Sequence, residues 1–303
     1  MTRFCFAIGL LAFAGLAGAE CRNDGVELQV LGSGGPEYDD GRISSSYLIR
    51  VNGTARLLID VGPGASVAFG ASGAQFEDLD AILLTHLHVD HVGDLSAFIK
   101  GSYFSDRRRD LPVYGPAGNE LMPATTRFVE RLFGDGGTYR YLREYVSDDR
   151  RSDYKVRPTD VPLVPGDIER IQLNEDVVVS ATHVHHGPVA AIAWRVDIGE
   201  CSLAFSGDMS NRFDTFSSLA KSVDLLVMHN AVPEDAGRIA RNLHMPPSEI
   251  GRIASEAGAK RVVLSHFMNR TLGREGETLS EIRKLYEGPV ELATDGQRYR
   301  LEE

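Results

Sequence analysis

An α/β domain is predicted, because short apolar strands alternate with helical segments along the chain. Ligand-type side chains follow several of these strands directly, and the loops at the carboxyl ends of strands are where α/β folds gather their chemistry. The clearest cases are His86, after the strand at 81–84, and His266, after the strand at 262–264. No linker, repeat or low-complexity segment divides the sequence, so we expect one domain over residues 20–303.

Strands are predicted where apolar runs are bounded by turn residues. The clearest pair is a hairpin centred on Asn52-Gly53, the strongest two-residue turn signal. In chain order the predicted strands are Val26–Leu31, Tyr47–Val51, Ala55–Ile59, Ala81–Leu84, Leu111–Tyr114, Val177–Val184, Ala190–Val196, Ser202–Phe205, Leu225–Met228 and Val262–Leu264.

Helices are predicted between these strands. The helix at 247–257 has Ser248 as a candidate N-cap and Gly258 just past its end. The polar, charged and proline-containing stretch Ser147–Asp167 is expected to be a loop or flap. The predicted helical segments are Leu95–Lys100, Thr125–Phe133, Pro247–Ala257 and Leu279–Tyr286.

Composition sets limits on function. The chain has 303 residues, of which 43% are hydrophobic and 25% charged, and this excludes an intrinsically disordered protein. Three cysteines are too few for a disulfide scaffold. The formal net charge is −11, and an acidic surface repels phosphate backbones. The composition therefore disfavours a nucleic-acid partner.

The N-terminal segment 1–19 is predicted to be a signal peptide. It combines the positive charge of Arg3, the apolar run Phe4–Ala14 and a small-residue cleavage site at Ala17–Ala19. The apolar run is too short to cross a bilayer, so no membrane span is expected. Export would leave Cys21 and Cys201 in an oxidising compartment, where they either pair or remain two buried thiols.

One sequence feature bears on the destination of the exported chain. Asn269-Arg270-Thr271 is an N-glycosylation signal three residues after His266, and a glycan there would crowd the candidate site described next. We therefore expect secretion into a bacterial periplasm rather than passage through a glycosylating pathway.

The segment His86–His91 is the decisive motif. Four ligand-type side chains, His86, His88, Asp90 and His91, fall within six residues directly after an apolar strand. Neutral imidazoles and a carboxylate suit Zn²⁺, with Mn²⁺ or Fe as alternatives. Four such groups desolvated without a metal would carry a large uncompensated cost, which argues against ordinary surface histidines.

This segment resembles the first ligand motif of the metallo-β-lactamase superfamily, and the resemblance extends across nearly the whole mature chain. The nearest branch is that of ribonuclease Z and its arylsulfatase-like relatives. The resemblance implies a four-layer αββα sandwich with the site at one edge. The supporting stretches are Leu31–Pro36, Leu58–Gly62, Leu83–His86, Val113–Gly118, Ser206–Asp208 and Leu264–Phe267.

The resemblance also implies a set of ligands for two Zn²⁺ ions per chain. It assigns one metal to His86, His88 and His186, and the other to Asp90, His91 and His266, with Asp208 bridging them. Physically, a bridging carboxylate would offset part of the charge of two dications. His185 stays open as an alternative to His186, because the register of a strand end can slip by one residue. His183 is expected either to contact a ligand residue from behind or to lie in the pocket wall.

The implied chemistry is hydrolysis by a metal-bound hydroxide. Asp90 would orient the water and take its proton, and His244 would act as general acid. In ribonuclease Z a glutamate follows the histidine that matches His229, whereas this chain has Asn230. His229 is open between a core histidine and a donor to a ligand. Asp60 either orients a ligand loop or is a turn residue before a glycine.

We therefore expect a metal-dependent hydrolase of small-molecule esters, with phosphodiesters or aryl sulfates ahead of lactones or β-lactams. A ribonuclease Z-type endonuclease that processes the 3′ end of tRNA is the first alternative. A periplasmic metal-binding protein without turnover is the second. Related enzymes often dimerise, so a homodimer is one expected assembly, although no segment of the sequence identifies an interface.

Overall fold

The structure is a computed structural model that describes residue 21 and residues 25–149 and 151–301. The predicted signal peptide, residues 1–19, lies outside the described residues, so export stays a prediction. Within the described residues, no helix is both long and apolar enough to cross a membrane.

Fourteen strands are described. In chain order β1 to β14 are Val26–Gly32, Ser46–Val51, Thr54–Val61, Ala81–Leu83, Leu111–Pro116, Val156–Val161, Ile168–Gln172, Val177–His186, Val189–Ile198, Cys201–Phe205, Leu225–His229, Val262–Ser265, Val290–Leu292 and Arg298–Arg300. The hairpin predicted at Asn52-Gly53 joins β2 to β3, and both turn residues have positive φ, at 51° and 80°. This is the turn that an Asn-Gly pair favours.

Eight α-helices are described. In chain order α1 to α8 are Ala65–Ala71, Val89–Val92, Leu95–Gly101, Thr125–Phe133, Phe216–Leu219, Arg238–Arg241, Pro247–Ala257 and Glu275–Ile282. Gly258 ends α7 in the left-handed conformation, with φ at 62°, as its position after the helix predicted.

The strands form two seven-stranded sheets. The first has the order β14-β1-β2-β3-β4-β5-β6 and the second the order β13-β12-β11-β10-β9-β8-β7. Each sheet combines an antiparallel part with a parallel part, which spans β3 to β6 in the first sheet and β10 to β13 in the second. The parallel connections run through helices, as parallel pairing requires.

The sheets pack face to face, and helices cover their outer faces. Tyr47, Trp194 and Phe205 lie in the apolar layer between the two sheets. On the outer face of the first sheet, apolar side chains of α1, α3 and α4 form a second core. Helices α5, α7 and α8 cover the second sheet in the same way. The four-layer αββα sandwich is therefore confirmed.

Three local predictions are wrong. The segment expected to be a flap contains the edge strand β6. Val156 and Val161 at its ends are buried, whereas its middle is polar. Pro158 is tolerated in this strand because one side of the strand has no partner. Pro246, not Ser248, is the N-cap of α7, because Ser248 donates its backbone N–H and its hydroxyl to Glu234. Helix α8 begins and ends four residues earlier than predicted, because its polar first turn gave no apolar signal.

A disulfide bond joins Cys21 to Cys201, whose Cα atoms are 4.5 Å apart. Cys201 is the first residue of β10 and is buried. Of the two alternatives left open by the sequence, pairing is therefore the one that the structure contains.

Candidate metal centre

The candidate site lies at one edge of the sandwich, where strands of both sheets end. His86 and Asp208 each follow a strand closely, after β4 and β10, whereas His186 is the last residue of β8. The two sheets are tied together beneath the site. The amide of Ile192 donates to the Thr85 carbonyl oxygen at 2.9 Å, and Trp194 Nε1 donates to Leu84 O at 3.0 Å.

A first group of donor atoms comes from His86, His88, His186 and Asp208, with one atom from each side chain and all atoms within 4.8 Å of one another. Asp208 Oδ2 lies 3.9 Å from His86 Nε2 and 3.6 Å from His186 Nε2. His186 Nε2 and His88 Nδ1 are 3.4 Å apart. Three imidazoles and a carboxylate therefore face one point.

A second group comes from His91, Asp208, His229 and His266, again within 4.8 Å. Asp208 Oδ2 lies 3.7 Å from His91 Nε2, and Asp208 Oδ1 lies 3.3 Å from His266 Nε2. Asp90 also reaches this group, since its Oδ2 is 3.2 Å from His266 Nε2 and 3.4 Å from His91 Nε2. Asp208 belongs to both groups.

The spacing of these atoms fits metal ligands. In a tetrahedral site with bonds of about 2.0–2.1 Å, neighbouring ligand atoms are roughly 3.3 Å apart. Most of the separations given above lie close to that value. The inward-facing Nε2 atoms of His86 and His91 are buried without a hydrogen-bond partner, which is costly unless another group such as a cation takes them up.

The outer ring nitrogens are held by oxygen acceptors. His91 Nδ1 contacts Asp60 Oδ2 at 2.7 Å, His186 Nδ1 contacts Leu243 O at 2.8 Å, and His86 Nδ1 contacts Thr85 Oγ1 at 3.1 Å. A ring that donates Nδ1–H outward presents the lone pair of Nε2 inward. This is the arrangement that orients histidine ligands in metal sites.

Asp60 connects two of these contacts. Besides His91, its carboxylate accepts hydrogen bonds from the backbone N–H of Thr85 at 2.7 Å and from the Thr85 hydroxyl at 2.8 Å. Asp60 is fully buried and has a φ of 54°, a conformation that is uncommon for a non-glycine residue. Asp60 is therefore a buried acceptor that holds Thr85 and His91, and not only a turn residue before a glycine.

A glycine sets the approach of the bridging carboxylate. Gly207 has a φ of 56°, and a Cβ atom at this position would lie 2.8 Å from Thr85 Cβ. Any larger residue would push apart the Thr85 and Asp208 loops, which carry donors to both groups.

The electrostatics of the site favour cations. Burial raises the pKa of Asp208, but the neighbouring His266 and His244 overcome this and hold it well below its usual range. Burial also opposes ionisation of Asp90, yet His91 and His266 keep its pKa below the usual range. Burial lowers the pKa of His86, so its imidazole is neutral. Two ionised carboxylates therefore face neutral and cationic imidazoles in a desolvated site.

The remaining predicted residues lie around the groups. His186, not His185, belongs to the first donor group, since His185 Nδ1 is hydrogen-bonded to Ser210 Oγ at 2.7 Å. His183 packs against Phe213, with ring centroids 4.8 Å apart. His244 Nδ1 lies 3.8 Å from Asp208 Oδ2, and burial is the main reason that its pKa falls to about 3.

His229 is a close partner of Asp208. Its Nδ1 lies 2.8 Å from Asp208 Oδ1, and its Nε2 lies 3.1 Å from the hydroxyl oxygen of Tyr47. Burial lowers the pKa of His229 to about 4, although Asp208 opposes this shift. Asn230, next along the chain, is fully buried, and neither polar atom of its side chain has a hydrogen-bond partner.

Sequence reasoning missed three contributors: Thr85, Tyr47 and Arg270. Thr85 directly precedes His86, so its position could have identified it as a hydroxyl that holds the ligand loop. Tyr47 lies in an apolar strand, and nothing in the sequence distinguishes its hydroxyl from those of other tyrosines. Arg270 follows His266 by four residues, and its guanidinium donates to Ala231 O at 2.6 Å.

Relatives of known name match the chain over most of its length. Ribonuclease Z of Mycolicibacterium paratuberculosis is 28% identical over 290 residues, covering 91% of this chain and 99% of that protein. Among solved structures, the short form of human tRNase Z has a TM-score of 0.70 at 20% identity and covers 91% of this chain and 100% of its own. The metallo-β-lactamase fold protein YhfI of Bacillus subtilis has a TM-score of 0.68 at 22% identity, with 91% and 99% covered.

These relatives overturn one expectation. The expectation that a nucleic-acid partner is unlikely is wrong, because the chain matches proteins named for cleaving RNA over 91% of its length. The physical error lies in the use of net charge. The total of −11 describes the whole surface, whereas the field at a site depends on local groups such as Arg270.

The family follows from the sequence match and the fold together. The model of the metallo-β-lactamase superfamily matches residues 39–266, a span that contains every residue of both donor groups. The fold is shared with a solved metallo-β-lactamase fold protein. The chain belongs to the metallo-β-lactamase superfamily and is a metal-dependent hydrolase.

Proposed function

We propose that this protein is a phosphodiesterase of the ribonuclease Z type that uses two Zn²⁺ ions to cleave phosphodiester bonds in RNA. The observation that carries the proposal is the pair of donor groups that share Asp208. The names of the curated relatives point to the same bond. Two metal ions of this kind, when bound, activate water and polarise a phosphoryl oxygen.

The surroundings of the site support an anionic substrate. A cavity of about 570 Å³ is lined by Gly237, Arg238, Ile239, Ala240, Leu243 and Arg270. It adjoins the first donor group, because Leu243 O accepts the hydrogen bond of His186. Within the described part of the chain, neither Arg238 nor Arg270 forms an ion pair, and although Arg270 Nε donates to Ala231 O, the positive charges of both guanidinium groups can attract phosphate oxygens.

The protein side chains supply orientation and proton handling. Asp90 is ionised, and its Oδ2 lies beside His91 and His266 of the second donor group, so its carboxylate can hold the attacking water and accept its proton. His244 is neutral at pH 7, because burial lowers its pKa to about 3. A neutral imidazole donates a hydrogen bond to a phosphoryl or leaving oxygen, and gives up a proton only after that oxygen becomes basic.

A small phosphodiester is a second candidate substrate, and Asn230 is the observation that favours it. In ribonuclease Z the matching residue is a glutamate that acts with the histidine corresponding to His244. An amide cannot supply that proton. A substrate with an acidic leaving group, such as an aryl phosphodiester, needs less proton donation than an RNA 3′ oxygen.

We also propose export to a bacterial periplasm. The disulfide between Cys21 and Cys201 supports it, because such bonds persist in oxidising compartments and are rare in the cytosol. Cys21 lies two residues after Ala19, the last residue of the predicted signal peptide, so the bond would tie the new N-terminus to β10. In the periplasm the substrate would be RNA that reaches the protein from outside, and not a tRNA that is being processed.

The deciding experiment compares substrates on the purified Zn²⁺-loaded mature protein. A structured RNA with a 3′ extension, bis-aryl phosphate and aryl sulfate would be tested with the wild type, Asp208→Ala and Arg270→Ala. Arg274→Ala is the matched control, since Arg274 is paired with Asp235 and Glu277. We expect RNA and phosphodiester cleavage, loss of both in Asp208→Ala, and a roughly tenfold higher KM in Arg270→Ala.

Salt separates the two substrate classes. RNA cleavage should fall steeply with ionic strength, because binding releases counterions from the phosphate backbone, whereas hydrolysis of bis-aryl phosphate should change little. Cleavage of bis-aryl phosphate without RNA cleavage would favour the second candidate. Turnover of aryl sulfate alone, or activity that survives Asp208→Ala, would reject the proposed phosphodiesterase.

A further inference from the structure

His229 lies between the bridging carboxylate and a buried tyrosine hydroxyl. It ends β11 and is 2% exposed, Asp208 is 3% exposed, and Tyr47 in β2 is fully buried. The His229 ring also lies against that of His266, with centroids 4.7 Å apart and planes inclined by 25°. The three side chains Tyr47, His229 and Asp208 form a continuous chain of hydrogen bonds, with steps of 3.1 Å and 2.8 Å.

The chemistry of the end groups fixes the direction of this chain. An ionised carboxylate only accepts hydrogen bonds, so Nδ1 of His229 carries the proton and donates to Asp208 Oδ1. A neutral imidazole then has its lone pair on Nε2, and the tyrosine hydroxyl donates to it. Both ring nitrogens are thereby engaged.

This arrangement bears on the composition of the second donor group. By distance alone, His229 is close enough to His91, Asp208 and His266 to be a metal ligand itself. Its proton-bearing Nδ1 cannot bind a cation while it donates to Asp208. Its Nε2 cannot bind a cation while it accepts from Tyr47. Asp90, whose Oδ2 is 3.2 Å from His266 Nε2, has no such constraint.

Asp208 shows why a positioning residue is needed here. Its Oδ2 faces the first donor group, at 3.6 Å from His186 Nε2, and its Oδ1 faces His266 Nε2 at 3.3 Å. A rotation of the carboxylate would take both oxygens away from these directions. The bond from His229 to Oδ1 opposes that rotation.

We propose that Tyr47 and His229 are positioning residues of the metal centre: the Tyr47 hydroxyl donates to Nε2 and holds the His229 ring in place, and His229 holds Asp208 in its bridging orientation. The proposal rests on the role of Asp208 as a bridging ligand, which is part of the proposed function. It assigns His229 outside the ligand set and brings in Tyr47, which lies 182 residues away in the sequence.

The test uses Tyr47→Phe, which removes one oxygen atom and keeps the ring. Without that hydroxyl, Nε2 of His229 loses its hydrogen-bond donor, and the ring that holds Asp208 is anchored at Nδ1 alone. We expect metal affinity, measured by competition with a chelator, to fall about tenfold or more. In the ¹⁵N NMR spectrum of labelled histidine, the Nε2 signal of His229 should shift because Nε2 no longer accepts a hydrogen bond, while Nδ1 stays protonated.

Tyr286→Phe is the matched control. Tyr286 is also buried, and its hydroxyl donates a hydrogen bond to Ala259 O at 2.9 Å in the core beneath α7 and α8, away from the metal centre. We expect this variant to lose stability without losing metal affinity. Equal metal affinity in Tyr47→Phe, Tyr286→Phe and the wild type would overturn the proposal.

A second variant asks whether His229 is itself a ligand. In His229→Asn the amide nitrogen takes the place of Nδ1 and can still donate to Asp208. We expect it to keep the metal content of the wild type, whereas His229→Ala weakens metal binding. Loss of one metal equivalent in His229→Asn would make His229 a ligand and reject the positioning role. Because these are binding measurements, they stay decisive even if no phosphodiester is cleaved.

Discussion

Asp60 accepts a hydrogen bond from Nδ1 of His91 at 2.7 Å, and neither side chain has any exposed surface. The same oxygen, Oδ2, also accepts from the Thr85 hydroxyl, while Oδ1 accepts from the Thr85 backbone N–H. One carboxylate therefore fixes the ring of a candidate ligand and the start of the loop that carries it.

Asp60→Asn tests this arrangement. The amide oxygen can replace Oδ1, but the NH₂ group would then face two donors, Thr85 Oγ1 and His91 Nδ1. We expect metal affinity to fall about 10- to 100-fold and the free energy of unfolding to drop by about 1–3 kcal/mol. Chelator competition and urea unfolding measure the two effects.

Asp160→Asn is the control for that variant. Asp160 accepts from the backbone N–H and the hydroxyl of Thr126, at 2.8 Å and 2.7 Å, which repeats the Asp60–Thr85 pattern at the start of α4. It should lose stability but keep metal affinity. If Asp60→Asn and Asp160→Asn bind metal equally well, the orienting role of Asp60 is wrong.

Adjacent histidines at the end of β8 provide a second prediction. His186 contributes to the first donor group, whereas His185 is bonded to Ser210 and packs against Phe213. We expect His186→Ala to lose one metal equivalent by elemental analysis and at least about 100-fold in activity. His185→Ala should keep both, and the opposite result would move the ligand assignment by one residue.

Much of this site could be predicted from sequence, because its donors follow apolar strands or end them. His86 and His266 were found in this way, whereas His186 and Asp208 were assigned through the resemblance to the family. The β8 register remained open in the sequence, since neighbouring residues differ only in the face to which they point. The structure separates them through contacts that β8 makes with segments far along the chain, namely Leu243 and Ser210.

Other features could not have been found in the sequence. The role of Tyr47 depends on the packing of one sheet against the other, which brings it to His229. Strand β6 has a polar middle because it forms an edge, and edges are set by the order of strands in the sheet. The net charge gave a wrong expectation about nucleic acids because it sums the charges of the whole surface and does not describe the site.

In the metal-free protein, the change of the unfolding free energy with pH should reflect the protonation of His244. Burial lowers its pKa in the folded state to about 3, compared with about 6.5 when unfolded. Between these values the unfolded chain binds a proton that the folded chain does not. The contribution of His244 is therefore fully favourable above pH 6.5 and declines as the pH falls towards 3.

His244→Gln removes this titration. We expect its urea-unfolding free energy to depend less on pH than that of the wild type between pH 6.5 and 4, by up to about 1.4 kcal/mol per pH unit. Measurements in the presence of a chelator avoid effects of bound metal. Equal pH dependence in both proteins would mean that His244 is protonated in the folded state.

The disulfide leads to a prediction about both stability and location. It closes a loop of 180 residues and anchors Cys21 to β10, so its loss frees the N-terminal end of the described chain. Cys201→Ser should lower the free energy of unfolding by about 2–5 kcal/mol. Cys5→Ser is the control, because Cys5 lies in the predicted signal peptide and would be absent from the mature protein.

Thiol alkylation followed by mass spectrometry should find mature protein in the periplasmic fraction with Cys21 and Cys201 unmodified. Full-length protein in the cytosol with both cysteines alkylated would contradict export, because the chain would then have folded in the cytosol without the disulfide.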